Sequence, residues 1–189
     1  SILNYNACNL ASVYNAFYGL GADVKIINNK NEIKKSDKLV IPGVGAAKSA
    51  IEYLHKKDLY NAVSDFLKSG NPILGICLGF QIFSKNLYEN GHSIGFGYLD
   101  AKVVEFEEKT QYPKFHIGWN KININQNLLY FLKIQNNLSF YFCHSFFLKL
   151  KNTNKLDYGT SFFQNKFPAI VLKDNFLGTQ FHPEKSQTN

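Results

Sequence analysis

The chain contains no arginine. All 21 of its basic residues are lysine, set against 14 acidic ones, which leaves a formal net charge of +7 over 189 residues. Bidentate recognition of guanine or phosphate by a guanidinium is thereby excluded. The lysines are dispersed, with only pairs such as Lys34-Lys35 and Lys56-Lys57, and an accompanying surplus of asparagine points to biased composition. The positive charge therefore reads as a solvated surface, with a patch for nucleic acid or an acidic partner as the competing reading. Cysteine is scarce as well. Cys8, Cys77 and Cys143 are too few and too scattered for a disulfide framework, and no CxxC pair suggests zinc. Each is read as a thiol, and no metal or cofactor is expected. No apolar run approaches the roughly 18 residues that span a bilayer, and the opening SILNYNACNL lacks the regions of a signal peptide, so a cytoplasmic protein is expected.

What is present suits one globular domain over residues 1–189: 45% of the residues are hydrophobic, and no repeat or long linker divides the chain. At this length an α/β domain buries about 70% of the surface its unfolded chain would expose, without help from disulfides or metal. Leu10, Val13, Phe17 and Leu20 keep helical spacing within residues 7–20 and stop at Gly21. Residues 25–27, 38–41 and 72–76 read as strands. Residues 46–54 and 59–67 read as helices, and another is expected from Leu78 to about Tyr88. Such β–α alternation implies right-handed crossovers and a parallel sheet covered on both faces. The second half changes character: residues 140–143, 158–163, 169–172 and 177–181 are strand-like, the last two joined as a hairpin across 173–176, adding antiparallel strands.

Three segments can carry chemistry. Gly75-Ile76-Cys77-Leu78-Gly79 puts a thiol in a G-x-C-x-G pattern at a strand-to-helix junction, the cysteine form of a nucleophile elbow. A helix N-terminus there would favour the thiolate, and the Leu78 amide could face an oxyanion; a buried thiol filling space is the plain alternative. His182-Pro183-Glu184 follows a strand ending at Phe181, which would bring the imidazole to the same sheet edge as Cys77 with Glu184 holding it, a Cys-His-Glu triad. Pro42-Gly43-Val44-Gly45 follows another buried strand and could present the amide of Val44 or Gly45 beside that of Leu78 as an oxyanion hole. A phosphate cradle competes, but the loop lacks GK[ST] and the GxGxxG spacing.

GICLGFQ around Cys77, HPEKS at 182–186, PGVG at 42–45, FHIGWN at 115–120 and FYFCHSFF at 140–147 together resemble the class I (triad) glutamine amidotransferases. Within them the likeness is to the glutaminase subunits of imidazole glycerol phosphate synthase, which serve histidine biosynthesis, and it covers nearly the whole chain. The resemblance implies a flavodoxin-like α/β fold with a mixed, mostly parallel central sheet flanked by helices. It implies that Cys77 attacks the side-chain amide of L-glutamine, that His182 protonates departing ammonia, and that water hydrolyses the γ-glutamyl thioester. Substrate contacts by resemblance are Gly43, Gln81, His144, Ser145 and Phe146. The implied partner is a (β/α)₈-barrel cyclase that receives the ammonia and forms imidazole glycerol phosphate and an aminoimidazole ribonucleotide, met through Trp119, Asn120, Tyr141 and Lys185. Such glutaminases stay nearly silent until the complex binds its nucleotide, which the resemblance attributes to a loop, Pro42–Gly45, that must reorient.

The pattern departs from the family in two places. Asn4-Tyr5-Asn6-Ala7-Cys8-Asn9-Leu10 stands where an Asp-Tyr-Gly and a Gly-Asn-Leu are usual, which changes the turn after the first strand. At the other end HPEKSQTN stops where the family continues into a helix covering the sheet, so missing residues are expected there. These departures leave other classes open: a paralogous glutaminase supplying ammonia for the modification of surface-glycan sugars, a regulatory protein that has lost turnover, and a lysine-rich nucleic-acid module. The complete triad argues against the second, and the absence of arginine and of a basic stripe against the third. Cys143 and Cys8 are expected to be packing residues; a second catalytic thiol and a redox sensor are the respective alternatives. The single tryptophan, Trp119, is expected at an interface, with core packing as its alternative.

Overall fold

A computed structural model describes residues 1–107, 113–154 and 156–187. The N-terminal half alternates β1 (Ile2–Leu3), α1 (Leu10–Gly19), β2 (Ile26–Ile27), α2 (Lys30–Lys34), β3 (Leu39–Ile41), α3 (Ala47–Lys56), α4 (Leu59–Lys68), β4 (Ile73–Ile76) and α5 (Leu78–Gln81). The helices form where apolar residues recur at helical spacing. α3 buries Ala47, Ala50, Ile51 and Leu54, and α4 buries Leu59, Ala62, Val63 and Phe66. α2 is only one turn long and starts on the Asn29 side chain, which accepts from the amides of Asn31 and Glu32. Its strands are short and apolar on both faces, as parallel strands covered by helices must be. Ile2, Val40 and Ile76 pack with Val13 of α1 on one face, while Leu3, Leu39, Ile41 and Ile73 join the core of α3 and α4 on the other.

The remainder adds β5 (Ser84–Leu87), β6 (Ser93–Ile94), β7 (Leu99–Glu105), β8 (His116–Lys121), β9 (Asn123–Ile124), α6 (Gln126–Leu132), β10 (Ser139–His144), β11 (Phe146–Leu150), β12 (Asp157–Phe162), β13 (Lys166–Lys173) and β14 (Phe176–Thr179). Among the described residues one sheet runs β2-β1-β3-β4-β14-β13-β12-β9. Its pairings are parallel as far as β14 and antiparallel beyond it, so the hairpin β13–β14 joins the two halves. A second sheet runs β11-β7-β5-β6, and β8 with β10 forms a separate antiparallel ribbon. No helix among the described residues is long and apolar enough to cross a membrane.

The helix expected from Leu78 to about Tyr88 is corrected by this arrangement. α5 stops after one turn, and residues 84–87 enter β5 instead, paired in parallel with β7 and antiparallel with β6. Ser84 and Asn86 contribute little helix propensity, and two ladders of hydrogen bonds outweigh it. The expected hairpin over 173–176 forms, with Asp174 in the left-handed region at φ 49°. α2, the second sheet, β8, β9 and α6 were not among the expected elements.

Aromatic rings fill the junctions between these sheets. Phe176 on β14 is fully buried and meets Phe83 with ring centroids 4.3 Å apart, Tyr98 at 5.9 Å and Phe80 at 6.4 Å, which ties the central sheet to the strand pair behind the elbow. Phe176→Ala is expected to lower the unfolding free energy by about 3–5 kcal/mol, the cost of a lost ring and the cavity it leaves, as read from urea denaturation.

Candidate active site

Cys77 lies between β4 and α5 with φ 53° and ψ −106°, a left-handed conformation rarely adopted by a residue with a side chain. The glycines make that turn feasible. A Cβ at Gly75 would come within 2.6 Å of the Gly79 carbonyl oxygen, and one at Gly79 would strike the Ile41 carbonyl. The Cys77 amide donates to the Thr179 carbonyl at 2.7 Å, fixing the turn to the end of β14. α5 is a single turn, so the helix-dipole support expected for a thiolate is small; the sulfur relies on side chains. His182 is hydrogen-bonded to Cys77 on one side and, through Nδ1, to Glu184 Oε1 at 2.8 Å on the other. Burial alone would push this imidazole down, but the hydrogen bonds to Cys77 and Glu184, with their charges, hold its pKa up to about 10. Glu184 Oε2 meets no partner among the described residues, so its charge is left to the imidazolium.

Cys77 and His182 line a cavity of about 420 Å³ at the C-terminal edge of the parallel strands, together with Gln81, His144, Ser145 and Phe146, while Glu184 stands behind the imidazole and outside that lining. Four of the five expected substrate contacts thus line the cavity that holds Cys77. Gly43 is not: it is buried behind the elbow, where a Cβ would come within 2.7 Å of that of Leu78, and its carbonyl faces the Leu78 amide at 3.4 Å. The expected oxyanion hole is likewise not assembled. The Val44 amide donates to the Ala7 carbonyl at 2.7 Å and the Leu78 amide to Gly43, so both are engaged elsewhere; Gly45, at φ 103°, lines the cavity beside exposed Val44.

On the ribbon, alternate residues face opposite ways. Phe115, Ile117 and Trp119 are exposed on one side, with Trp119 at 47%, and Trp119 meets Tyr141 edge-on with centroids 6.3 Å apart. Lys185 Nζ sits 5.9 Å from the Tyr141 ring centre, so three of the four expected interface residues share one surface. Asn120 faces the other way, its Nδ2 donating to the Phe162 carbonyl at 2.7 Å and to His116 Nε2 at 3.2 Å. Cys143 is not a packing residue, as the sequence suggested. It is exposed and lines the cavity that holds Cys77, because β10 buries Phe140, Phe142 and His144 and turns Tyr141 and Cys143 outward. Cys8 is half-buried against the core, as expected of a filler, and burial pushes its thiol pKa up.

Four side chains at the site went unnoticed in the sequence. Glu89 is the carboxylate of the cavity lining and accepts from the Ala47 amide at 2.6 Å. Gln180, buried two residues before His182, places its Nε2 3.6 Å from the Cys77 sulfur. Ser186 Oγ donates to the His182 carbonyl at 2.7 Å and accepts from the Tyr141 amide at 3.0 Å. His116 pairs with His144, Nδ1 to Nε2, at 3.0 Å. The strand-end position of Gln180 and the family-like run holding His116 were visible, but nothing local to either residue marked its contact.

Comparison with known proteins agrees with this geometry. A family model described as glutamine amidotransferase class-I matches residues 1–189. The chain is 40% identical over 191 residues to a Campylobacter jejuni (strain RM1221) protein named imidazole glycerol phosphate synthase subunit HisH 1, covering 99% of this chain and 92% of that one. It is 37% identical to the protein named imidazole glycerol phosphate synthase subunit HisH from Rhodopirellula baltica, covering 99% and 90%. Among solved structures, PurLQS from Thermotoga maritima is similar in fold, with a TM-score of 0.73 at 16% identity over 97% of this chain and 86% of that one.

The histidines set opposing pH dependences. Burial pushes His116 down to about 4 and, with the neighbouring imidazoles, His144 down to about 3. From about 4 up to the ordinary 6.5 the unfolded chain binds protons that the folded chain refuses, so stability rises with pH. From 6.5 to about 10 the folded chain keeps the His182 proton that the unfolded chain releases, so stability falls. The melting temperature is expected to peak near pH 6.5, with His144→Asn flattening the acid side and Glu184→Gln the alkaline side; a profile unchanged by either variant would contradict these assignments.

Proposed function

The chain belongs to the class I glutamine amidotransferases, and on that premise we propose that it is the glutaminase subunit of an imidazole glycerol phosphate synthase, formed of one amidotransferase domain over residues 1–189. The observation that carries this reading is the imidazole of His182, which shares one cavity with Cys77 and is held from behind by the Glu184 carboxylate. The thiol proton passes to His182, and the thiolate forms a bond to the side-chain amide carbon of glutamine. As the tetrahedral intermediate collapses, the C–N bond breaks and the imidazolium gives its proton to departing ammonia. Water, deprotonated by the same imidazole, then attacks the thioester; glutamate leaves and the sulfur is regenerated. Glu184 holds the ring and favours its charged form.

A glutamine zwitterion needs one acid and one base in addition to the reacting groups. Glu89 offers the carboxylate for its ammonium, and Ser145, Phe146 and Gln81 line the wall where the rest of the molecule would lie. The partner is a (β/α)₈-barrel cyclase seated over Trp119, Tyr141 and Lys185, with the apolar Phe115 and Ile117 extending the same face. The engaged Val44 and Leu78 amides account for a free subunit with little turnover, since an oxyanion formed here would find neither donor. The reading as a supplier of ammonia for surface-glycan sugars is not favoured by the names of the similar relatives.

With the barrel partner present, Cys77→Ser is expected to lower glutamine-dependent synthesis by at least about a thousandfold while ammonia-dependent synthesis stays within about twofold of wild type. Loss of both activities together would refute the division of labour.

A further inference from the structure

We propose that Gln180 is a further catalytic residue, a fixed N–H donor to the Cys77 sulfur, held in that orientation by a one-way chain of hydrogen bonds behind it. The proposal rests on the reading of Cys77 as the nucleophile. Its starting point is the Phe146 carbonyl, which can only accept. Gln81 lies 2.8 Å from that oxygen and must therefore present its Nε2, and His144 Nδ1, also at 2.8 Å, must carry a hydrogen. The second hydrogen of Gln81 Nε2 goes to Gln180 Oε1 at 3.0 Å. The other end of the Gln180 amide is then NH₂, and this is the group 3.6 Å from Sγ. Turning Gln180 over would set two NH₂ groups against each other and a carbonyl against the sulfur.

The far end of the hydrogen-bond chain is ordered in the same way. With its Nδ1 hydrogen committed, neutral His144 accepts at Nε2, so His116 donates from Nδ1 at 3.0 Å. His116 Nε2 then accepts from Asn120 Nδ2, whose other hydrogen goes to the Phe162 carbonyl. Donors arrive at the Phe146 oxygen from both sides, and both N–H bonds of Gln81 are spent inside the protein. Gln81 is left with only its carbonyl to offer a substrate. Gln180 is completely buried, and its own amide is tied to the Ala169 carbonyl at 2.8 Å, so the side chain has nowhere to swing.

A donor at this place matters twice. It stabilises the sulfur once its proton has moved to His182. It also stabilises the sulfur when water has added to the thioester and the C–S bond breaks, because the electron pair then returns to sulfur. Cys77 also faces the Cys143 carbonyl, to which its Sγ donates at 4.0 Å, His182 with Glu184 behind it, the Cys143 thiol, His144, Glu89 and Lys185 around the cavity, and the Tyr5 hydroxyl beneath the elbow.

The test follows alkylation of the full chain by iodoacetamide from pH 5 to 9, with adducts at Cys77, Cys143 and Cys8 counted separately by peptide mass spectrometry. Gln180→Met keeps length without a donor; Gln180→Glu keeps a partner for Gln81 but turns an acceptor to the sulfur. At pH 7 alkylation of Cys77 is expected to slow about tenfold in Gln180→Met and further in Gln180→Glu, its pH midpoint moving up by about one unit, while the exposed Cys143 reacts at an unchanged rate. In the complex, kcat for glutamine should fall with KM unchanged. Folded variants with the wild-type profile would overturn the proposal, as would slowing confined to Gln180→Glu, which would report only the added charge. If Gln180→Met does not fold, an unchanged profile in Gln180→Glu overturns it. Should wild-type Cys77 react no faster than Cys143, the nucleophile assignment itself fails; a fast Cys77 indifferent to Gln180 overturns this inference alone.

Discussion

Everything at the site depends on how closely β3, β4 and α5 approach one another at a single turn. Cys77 can present its sulfur at the edge of the sheet only because its backbone takes a left-handed conformation. That conformation costs of the order of 1–3 kcal/mol and persists only where the surroundings over-determine it. Here the surroundings are Gly75 and Gly79, whose missing side chains let α5 press against the Ile41 carbonyl, and the Thr179 carbonyl, which fixes the Cys77 amide. The chain places β14 beside β4, and this registers the His182 loop against the elbow from more than a hundred residues away. Sheet order thus brings Cys77 and His182 together, and the proposed triad is a property of topology before it is one of side chains.

The parts of this that could be read in the sequence are those encoded locally. The buried strands around Val40 and Leu74 are uninterrupted apolar runs, α3 and α4 carry regular stripes, and the elbow and the HPE loop each announce themselves by residue type and spacing. The extent of α5 was not legible. Leu78, Phe80, Ile82, Phe83 and Leu87 are all buried, a pattern compatible with a long core helix, and only pairing with β7, set by residues 99–105, decides for a strand. Cys143 is hidden from the sequence for a related reason: the alternation on β10 signals packing, but which face of the ribbon is covered depends on β8 and on the aromatic cluster of Phe142, Phe167 and Phe181. Gln180 and His116 were invisible because each acts through a residue remote in sequence.

The altered turn after β1 has a structural reading. Asn6 stands where the family usually has glycine and adopts φ 63°, a region that asparagine tolerates better than most residues, with its amide donating to Asn4 Oδ1 at 3.2 Å. The next residue, Ala7, supplies the carbonyl that holds the Val44 amide. The substitutions therefore lie in the turn that restrains the Pro42–Gly45 loop. Keeping Val44 bound to Ala7 satisfies a backbone donor that would otherwise need water, so release of this loop has a definite cost, about that of one hydrogen bond, to be met by whatever binds elsewhere.

The ribbon of β8 and β10 is where such binding would register. Its outer face shows Trp119, Tyr141 and Cys143, while its inner face buries His116 and His144. The Tyr141 carbonyl accepts from the His182 amide at 2.9 Å, and its own amide donates to Ser186, which in turn holds the His182 carbonyl. The strand that would meet a partner is therefore bonded directly to the loop carrying His182, and through His144 to the carbonyl that also binds Gln81. A close-packed ribbon of this kind cannot shift on one face alone. Pressure on Tyr141 would be borne by the same hydrogen bonds that hold the His182 loop, so a partner docked on this face would act on the proposed site through one mechanical element rather than across an intervening core.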